Sequence, residues 1–461
     1  MCIVAFSGNS RGVEAKRHRI EVLRTVEIKG LNKENILAIS KAKQEEPWVL
    51  NFRLDSYQKF LKQKAPSFGP KATVDFDQII YYKTSEEERI EHSWDRINKR
   101  VRNELEDLGV IESEQHMDGI GVQYESEVIY HNMIEELSKK DIIFTSIEDA
   151  MRRYPDLVRK YFGTIVKNDE NQFAALNGAV FSGGSFIYIP PHTKLDRPLQ
   201  SYFRISSRNM GQFERTLIIV DEESELHYIE GCTAPEYSES ALHAAVVEIY
   251  VGKRARCRYT TIQNWAQNVN NLVTKRAVVD EAGVMEWVDG NIGSQVTMKY
   301  PCCVLKGDDA KGTCITISVA TKQQQQDTGA RMIHLGKRTK SNIVSKSIAS
   351  TGGNATYRGT VRIYENAIDS EAMVQCDTLI LDDQSKSDTI PINDCRNDSS
   401  TIEHEATVSK ISEENLFYLM SRGIDRESAT ELVVLGFLEK FREELPMEYA
   451  VELNQLLKRN L

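Results

Sequence analysis

The chain has 461 residues, 41% of them hydrophobic and 27% charged, and its formal net charge is −10 at pH 7. This length allows two or three domains with a substantial core, and the acidic excess disfavours non-specific binding to nucleic acid or to an anionic membrane surface. No apolar run approaches the roughly 20 residues of a membrane-spanning helix, and the N-terminal apolar segment is too short for a secretory signal. We therefore expect a soluble intracellular protein, in the cytoplasm or, if the source is eukaryotic, in an organellar stroma.

The first part of the chain, residues 1–170, has the pattern of polar and amphipathic helices. Asn32 and Ser146 are candidate N-caps because their side-chain oxygens can accept hydrogen bonds from the free N–H groups at a helix start. The spacing of apolar residues predicts helices over 33–43, 48–64, 85–108, 124–139 and 146–161. We expect these helices to form an N-terminal region that ends near residue 170.

The pattern changes near Ala174 to short runs rich in Val, Ile, Thr and Tyr that alternate with polar residues. Charged turns recur roughly every 28 residues, a spacing typical of stacked arrays. The turns centre near Glu223, Lys253, Ala282, Asp309, Lys337 and Asn366. A second set of corners falls near Glu236, Gln267, Gly293, Gln324, Gly352 and Gln384. Two strands and two corners per repeat predict a parallel β-helix over residues 171–411, whereas a β-sandwich would not ordinarily keep this spacing.

Helical periodicity returns after Lys410. The pattern predicts helices over 413–421, 425–439 and 446–458, with Asp425 as the cap of the second. Residues 412–461 are therefore expected to form a C-terminal helical region. Its apolar stripe fits two roles, closure of the solenoid end or docking of a partner.

The eight cysteines show no CxxC spacing, and none lies between Cys2 and Cys232. Neither a disulfide framework nor a zinc ribbon is indicated, so any sulfur chemistry belongs to the second half of the chain. Cys232 lies in EGCTAP, at a transition from strand to corner, where both a structural thiol and an accessible one fit. Gln263 and Trp265 lie in the segment RYTTIQNW, where polar groups fit either the lining of a passage or bonds to a corner backbone.

The segment from Cys376 to Glu405 contains the residues best suited to bind a metal. A thiolate with imidazole or carboxylate suits iron or zinc. In a strand, Glu403 and Glu405 share one face while His404 takes the other, so the three cannot converge unless the backbone bends or another chain contributes. The alternative is a solvated strand edge with a satisfied histidine. No complete phosphate-binding loop, HExxH motif or nucleophile elbow accompanies this segment.

Long segments of the chain match one known family in order. They include ALNGAVFSGGSFIYIP, EGCTAPEYSESALHAAVVEIYV, DTGARMIHLGK, YRGTVRI and EHEATVSKI. On these segments the sequence resembles the SufB/SufD family of the SUF iron–sulfur cluster assembly system, over most of its length. EGCTAP, QNW and the surroundings of Cys376 are similar to the SufB branch of the family and not to the SufD branch.

The resemblance implies a fold and a function. The fold is a right-handed parallel β-helix with helical N- and C-terminal regions. The function is that of a non-enzymatic scaffold for de novo cluster assembly. Such a scaffold pairs with SufD or with a second copy, binds the ATPase SufC through its C-terminal helices, receives sulfur from SufS/SufE-type donors and serves apo-protein acceptors.

The resemblance also implies roles for individual residues. Cys232 resembles the acceptor of persulfide sulfur, and Cys376 and Glu405 resemble ligands of the nascent cluster at the SufD interface, with Glu403 and His404 beside them. The lining of a tunnel through the β-helix is implied for Gln263, Trp265 and Lys275. A histidine of SufD would complete the cluster site, and Cys395 is then expected to be a structural thiol.

The cluster is expected to be transient and of the 4Fe–4S type. Reduced flavin is implied by the family alone, since no motif in this chain carries it. The cysteine cluster that many bacterial members have near the N-terminus is absent from residues 3–231. Two alternatives stay open: a SufD-like structural adaptor without its own cluster, and a polysaccharide-acting β-helix, which the lack of an obvious carboxylate pair disfavours.

Overall fold

The computed structural model describes residues 26–84, 90–107, 109–205, 207, 209–234, 241–445 and 457. The fold is mainly β, with 42% strand and 24% helix, and its centre is a β-solenoid of about 7 turns with helices towards both ends. The predicted fold class is therefore confirmed. Cys2, the corner near Glu236 and, apart from Leu457, the predicted helix over 446–458 lie outside the described residues.

The N-terminal part contains both helices and strands. They are β1 (Glu27–Lys29), α1 (Lys33–Ala42), α2 (Pro47–Lys62), β2 (Ile80–Lys83), α3 (Lys99–Asp107), α4 (Val110–Ser113), β3 (Gly119–Tyr124), β4 (Glu127–Met133), α5 (Glu135–Ser138), β5 (Ile143–Ser146), α6 (Ile147–Arg153), α7 (Pro155–Tyr161) and α8 (Gln172–Val180), with 3-10 turns at Trp94–Arg96 and Glu114–His116. The two predicted caps are confirmed, since the side chain of Asn32 accepts from the N–H of Asn35 and that of Ser146 from the N–H of Asp149.

Several predicted helices differ from the structure. The prediction over 124–139 is wrong, because Glu125 turns the chain with a φ of 56° and β4 then pairs antiparallel with β3. The helix over 146–161 is divided at Tyr154, because Pro155 restricts the residue before it and begins α7. In the segment 85–108, the helix begins only at Lys99, after a 3-10 turn; residues 85–89 and 108 lie outside the described residues.

Helix α8 was also missed, since the strand-like pattern was expected from Ala174 onwards. Asn171 begins this helix, and its side chain accepts from the N–H groups of Phe173 and Ala174. All of α8 except Gln172 is buried. A helix that is buried on every side shows no amphipathic stripe, so its period cannot be read from the sequence.

The solenoid strands alternate between two sheets. They are β6 (Ser185–Ile189), β7 (Leu199–Arg204), β8 (Arg215–Val220), β9 (Glu225–Thr233), β10 (Ala241–His243), β11 (Val246–Val251), β12 (Arg256–Trp265), β13 (Val269–Val279), β14 (Val284–Gly293), β15 (Val296–Lys299), β16 (Cys302–Leu305), β17 (Lys311–Ala320), β18 (Gln325–Thr328), β19 (Arg331–His334), β20 (Lys340–Ala349), β21 (Asn354–Ile363), β22 (Glu371–Ile380), β23 (Lys386–Cys395) and β24 (Thr401–Lys410).

Both sheets are parallel through the solenoid. In the first sheet the order is β5-β6-β8-β11-β13-β16-β19-β21-β18-β15, with β10 on β13 and β23 on β21. In the second sheet the order is β4-β3-β7-β9-β12-β14-β17-β20-β22-β24. The inner faces of both sheets share one apolar core, in which Tyr259 and Trp287 of the second sheet lie with Ala277 and Val361 of the first.

The corners of the solenoid lie where the charged turns predict them. Glu223, Ala282 and Asp309 have φ values of 57°, 51° and 61°, and stacked corners bond to each other through the backbone. The N–H of Ala282 donates to the carbonyl of Asp308 at 2.8 Å, and that of Asp309 donates to the carbonyl of Lys337 at 2.8 Å. Corners of this kind lie at the surface, where polar and charged side chains stay in water, which explains why charged turns mark the repeat.

The C-terminal helices are α9 (Glu413–Ser421), α10 (Arg426–Phe437) and α11 (Glu439–Arg442). Asp425 caps α10 as predicted and accepts from the N–H of Ser428. Leu416, Val434 and Phe441 of these helices pack in one cluster with apolar residues of the second sheet. The helices therefore cover the outer face of that sheet.

Candidate functional site

Two rows of inward-facing polar residues, the polar rows, run along the second sheet from Cys232 to the coil of Cys376. Strand register aligns one residue of each coil with the next. The first row is Glu230, Thr261, Asp289, Thr316, Ser345 and Cys376, and the second is Cys232, Gln263, Asn291, Ser318, Ser347 and Thr378. Every member is at most 4% exposed. The solenoid interior is therefore polar along the line that joins the two thiols.

The buried acid Asp289 lies at the centre of the first polar row and is held by two lysines of the first sheet. Its Oδ1 is 3.4 Å from the Nζ of Lys275 and 3.3 Å from the Nζ of Lys299, and it also accepts from the hydroxyl of Thr261. Burial opposes ionisation of Asp289, but the two ammonium groups outweigh it and lower the pKa of the carboxyl. Burial also lowers the pKa of Lys299 to about 8, although Asp289 acts against this shift.

Cys232 is completely buried beside Glu230. The thiol donates to Oε1 of Glu230 at 3.8 Å, and the hydroxyl of Tyr259 donates to Oε2 of the same carboxylate. Burial, and then the negative charges of Glu230 and Glu214, raise the pKa of Cys232 well above its ordinary value. The group is thus a protonated thiol at neutral pH, and a cation or an exchange reaction must displace its proton before the sulfur can act.

The three residues predicted to line a tunnel lie around this thiol. Gln263 is the register partner of Cys232, and its Oε1 accepts from the Nζ of Lys299 at 3.1 Å. The ring of Trp265 lies 4.6 Å from that of His243. Lys275 reaches Asp289 and lies 4.0 Å from Glu230. The structure therefore places Gln263 and Lys275 in the polar network next to Cys232, and it packs Trp265 with Cys232 in an apolar cluster.

Several buried polar atoms along the rows have no protein partner within the described residues. They are Glu214 Oε2, Gln263 Nε2, Trp265 Nε1, Asp289 Oδ2, Asn291 Oδ1, Ser318 Oγ and Ser345 Oγ. Buried polar atoms ordinarily have partners, because an unmet hydrogen bond costs about 1–3 kcal/mol. Their concentration here suits an interior that holds water or a small polar cargo.

The sequence predictions missed Glu214, His243, Asn271, Asp289 and Lys299. These side chains come from four different strands and the residue before β8, so no spacing in the chain connects them. One signal was available for Asp289. It is two residues from Trp287 in β14, so both side chains face the interior of the solenoid. An acid at an inward position of a solenoid strand requires a buried cation.

Cys376 lies in β22, opposite β24, and is 4% exposed. Its Sγ is 3.4 Å from Nε2 of His404 and 3.6 Å from the carbonyl oxygen of Glu405, to which the thiol donates. Burial, and then the charge of Asp377, raise the pKa of the thiol to about 11. The structure therefore brings Cys376 and His404 together.

Glu403 and Glu405 alternate with His404 in β24 and are exposed, so they lie on the outer face, as the strand period predicts. The register partner of Glu405 is Gln375, which likewise alternates with Cys376. Cys395 is exposed at the end of β23, where its thiol donates to the carbonyl of Asn397 at 3.4 Å. The structure thus separates the two glutamates and Cys395 from the Cys376–His404 pair.

The fold and these two thiol sites define a parallel β-solenoid protein with buried thiols beside carboxylate and imidazole groups. The model of the "SUF system FeS cluster assembly, SufBD core domain" matches residues 203–437, and that of the "SufBD protein N-terminal region" matches residues 122–201. The chain belongs to the SufBD family of iron–sulfur cluster assembly proteins.

Named relatives agree with this assignment. The chain is 54% identical over 432 residues to the iron–sulfur cluster assembly protein SufB of Bacillus subtilis (strain 168), with 93% of each chain covered. It is 55% identical, with the same coverage, to iron–sulfur cluster assembly SufBD family proteins of Staphylococcus epidermidis and Staphylococcus saprophyticus. Within the described residues, no helix has the length and apolar character needed to cross a membrane.

Proposed function

We propose that this chain is a scaffold for de novo iron–sulfur cluster assembly, which accepts persulfide sulfur at Cys232 and holds a nascent cluster near Cys376. The observation that carries the proposal is the continuity of the polar rows. They connect one buried thiol in the interior of the solenoid with a second thiol in its end coils, with no apolar residue between them. Gln263, Trp265 and Lys275 line the proposed path.

Sulfur arrives by exchange between a donor persulfide and the thiol of Cys232. The outer sulfur of the donor bonds to Sγ of Cys232, the donor S–S bond breaks, and the donor leaves as a thiol that takes the proton of Cys232. No net oxidation occurs in this step. Release of the sulfur as hydrogen sulfide then takes two electrons and two protons and restores the thiol, and a reduced flavin of the kind implied by the family resemblance would supply the electrons.

The nascent cluster, proposed to be of the 4Fe–4S type, forms at the open end of the solenoid. Cys376 and Glu405 are its proposed ligands from this chain, with His404 next to the thiol and Glu403 on the outer face. Because Glu405 and His404 face opposite sides of β24, Glu405 can join Cys376 only if this last strand bends, and the site is incomplete in one chain. A ligand from SufD or from a second copy would complete it.

The partner surfaces follow from exposed apolar groups. Ile392 of β23 and Val408 of β24 are 48% and 51% exposed, on the last two strands of the solenoid, and fit a paired β-solenoid such as SufD or a second copy. Phe417 and Tyr418 of α9 are 73% and 57% exposed and fit the ATPase SufC.

ATP hydrolysis and cysteine desulfuration belong in this proposal to partners, SufC and SufS/SufE-type donors. Apo-proteins receive the cluster, in the cytoplasm, where thiols stay reduced.

Anaerobic reconstitution with ferrous iron and a sulfur donor tests the cluster site. The expected result is a visible cluster absorption band that Cys376→Ser strongly weakens. Cys257→Ser is the matched control, because Cys257 is a fully buried thiol in the same sheet that lies in the apolar core and outside the polar rows. An equal band in the Cys376→Ser variant would refute the assignment. No iron or cluster in any variant would favour the alternative, a SufD-like adaptor.

Mass spectrometry tests the acceptor role of Cys232. Incubation with a persulfide donor pair should add one or more sulfur atoms, about 32 Da each, to the peptide that contains Cys232. Cys395→Ser should leave this modification unchanged, because Cys395 lies at the exposed end of β23. A Cys232 peptide without added sulfur would exclude the acceptor role.

A further inference from the structure

Three potential metal ligands meet in the interior of the solenoid, at strand β9. One ligand atom each of Glu214, Glu230 and Cys232 lies within 4.8 Å of the other two. Glu214 and Cys232 are 0% exposed and Glu230 is 1% exposed. Glu214 precedes β8 in the first sheet, while the other two are in β9 of the second, so both sheets contribute to the group.

A chain of hydrogen bonds fixes the orientation of Glu214. Lys299 can only donate, so the atom of Gln263 that faces it at 3.1 Å is the acceptor Oε1. Asn271 therefore donates through Nδ2 to that same oxygen at 2.9 Å and turns its Oδ1 towards Nδ1 of His243. His243 must then donate from Nδ1, and its Nε2 shares a single proton with Oε1 of Glu214 at 2.5 Å.

This orientation leaves Oε2 of Glu214 without a protein partner within the described residues. A buried carboxylate oxygen of this kind is costly unless it meets a donor or a cation. The Nζ of Lys275 lies 4.0 Å from Oε1 of Glu230, but it is closer to Oδ1 of Asp289, at 3.4 Å. The two carboxylates and the thiol beside them are therefore short of positive charge.

The spacing of Cys232 and Glu230 suits two ligands of one small divalent cation. With bonds of about 2.0–2.3 Å, neighbouring ligands of a tetrahedral ion lie about 3.3–3.8 Å apart. The thiol of Cys232 and Oε1 of Glu230 are 3.8 Å apart. The hydrogen bond between His243 and Glu214 resembles the carboxylate–histidine pairs of metal sites, in which one partner orients the other as a metal ligand.

We propose that Glu214, Glu230 and Cys232 bind a divalent, thiophilic cation of the Fe2+ class in the interior of the solenoid. Cys232 gives its proton to water as the sulfur–metal bond forms, and the oxidation state of the metal does not change. His243 is a positioning residue that holds Glu214. The inference rests on the proposed scaffold function and deepens it, because it names the place where iron first meets the sulfur-accepting thiol.

The test titrates the purified full-length chain with Co2+ alone, anaerobically, in the Cys376→Ser background so that the end-coil thiol does not contribute. We expect a near-ultraviolet thiolate-to-cobalt band at one equivalent, with release of a proton. Adding Cys232→Ser abolishes the band, and adding Glu214→Gln or Glu230→Gln weakens Co2+ binding about tenfold or more. Glu225→Gln is the matched control in the same strand, and it leaves the affinity unchanged because Glu225 is bonded to Lys194 at the surface.

A second measurement does not depend on the folding of any variant. Anomalous scattering from wild-type crystals soaked in Co2+ locates the ion directly, and a peak between Glu214, Glu230 and Cys232 supports the site. A band that survives Cys232→Ser, or peaks only elsewhere, overturns it.

The two proposals fail in different ways. If Cys232 takes up persulfide sulfur but no Co2+ band depends on it, the cation site is wrong while the scaffold proposal stands. If the band depends on Cys232 but this thiol never takes up sulfur, the cation site stands and the acceptor role is wrong.

Discussion

The two thiol sites lie in coils of opposite character. Around Cys232, strand β9 pairs with both β7 and β12, and the nearby acid Asp289 is paired with Lys275 and Lys299. Around Cys376, strand β24 pairs with β22 as the last strand of the second sheet, and Glu403 and Glu405 are exposed. Neighbouring strands enclose the Cys232 site on both sides, whereas the Cys376 site has one side open.

This difference shows how a solenoid can serve the proposed scaffold role. A coil in the middle can hold ionisable groups only if its neighbours supply countercharges, and Lys275 and Lys299 do so for Asp289. A coil at the end needs no such balance, because water or a partner can meet its side chains. A reaction that must be shielded from water suits an enclosed coil. Transfer of a cluster to another protein suits the end coil.

The largest expected effect comes from breaking the charge balance of the middle. Asp289→Ala leaves the ammonium groups of Lys275 and Lys299 buried without their shared carboxylate, so we expect a loss of about 3–5 kcal/mol in the free energy of unfolding. Urea denaturation followed by circular dichroism measures it. Asp383→Ala is the control, since Asp383 pairs with Lys410 on the exposed surface and should have little effect. Equal midpoints for the two variants would contradict the comparison.

A matched pair of apolar substitutions tests packing in the two regions. Ile343 of β20 is 0% exposed, and Ile392 of β23 is 48% exposed. We expect Ile343→Ala to cost about 2–5 kcal/mol, since it leaves a cavity in the core, and Ile392→Ala to change stability by about 0.5 kcal/mol or less. The same denaturation measurement applies. A large loss from Ile392→Ala in the isolated chain would mean that the end coil is packed within one chain.

Acid should destabilise the closed coils through buried imidazoles. Burial lowers the pKa of His334 to about 4 from 6.5, and the ring bonds to the hydroxyls of Thr339 and Ser341 at 2.8 and 2.9 Å. The unfolded chain therefore binds a proton at a higher pH than the folded chain. The free energy of unfolding is unaffected by this group above pH 6.5 and falls between pH 6.5 and 4, by about 3 kcal/mol in total.

Unfolding midpoints measured between pH 4 and pH 8 check this expectation. His334→Gln retains a polar side chain at the position but removes the titration, so its stability should fall less steeply with acid than that of the wild type. Parallel curves for the two proteins would show that His334 does not contribute to the acid sensitivity.

The repeat of the solenoid could be predicted because its corners have a chemical signature. The turns near Glu223, Ala282 and Asp309 are rich in charged residues because they lie at the surface, and this recurrence is visible in the sequence. Helix α8 and strand β4 could not be predicted in the same way. Because α8 is buried on all sides, its sequence shows no alternation of polar and apolar faces. Strand β4 forms through its pairing with β3, which the local sequence does not show.

The candidate site was predictable only where the resemblance to the SufB/SufD family supplied it. The sequence alone predicted that His404 and Glu405 lie on opposite faces, because neighbouring residues of one strand alternate between its two faces. The environment of Cys232 depends on Glu214, His243 and Lys299, which come from other coils. Register between coils, and not local pattern, brings these groups together.

The smallest perturbation is chemical labelling of thiols in the folded chain. Cys395 is exposed, Cys376 is 4% exposed in the end coils, and Cys232 is 0% exposed between closed coils. A brief pulse of iodoacetamide followed by mass spectrometry should modify Cys395 first and Cys376 next. Cys232 should react only at the rate at which its coil opens, because the reagent cannot reach it in the folded state. His404→Ala should speed labelling of Cys376 alone, since it removes the ring 3.4 Å from Sγ.

Labelling of Cys232 as fast as that of Cys376 would contradict the distinction between a closed middle and an open end. The expected order has a consequence for the proposed acceptor role of Cys232, because in that proposal a donor must reach the same buried thiol as the reagent. If the middle is closed, a sulfur donor has to bind and favour a local opening near Cys232. Labelling of Cys232, but not of the core thiol Cys257, should then rise when a donor without its transferable sulfur is added. An equal rise at both thiols would indicate general unfolding of the solenoid instead.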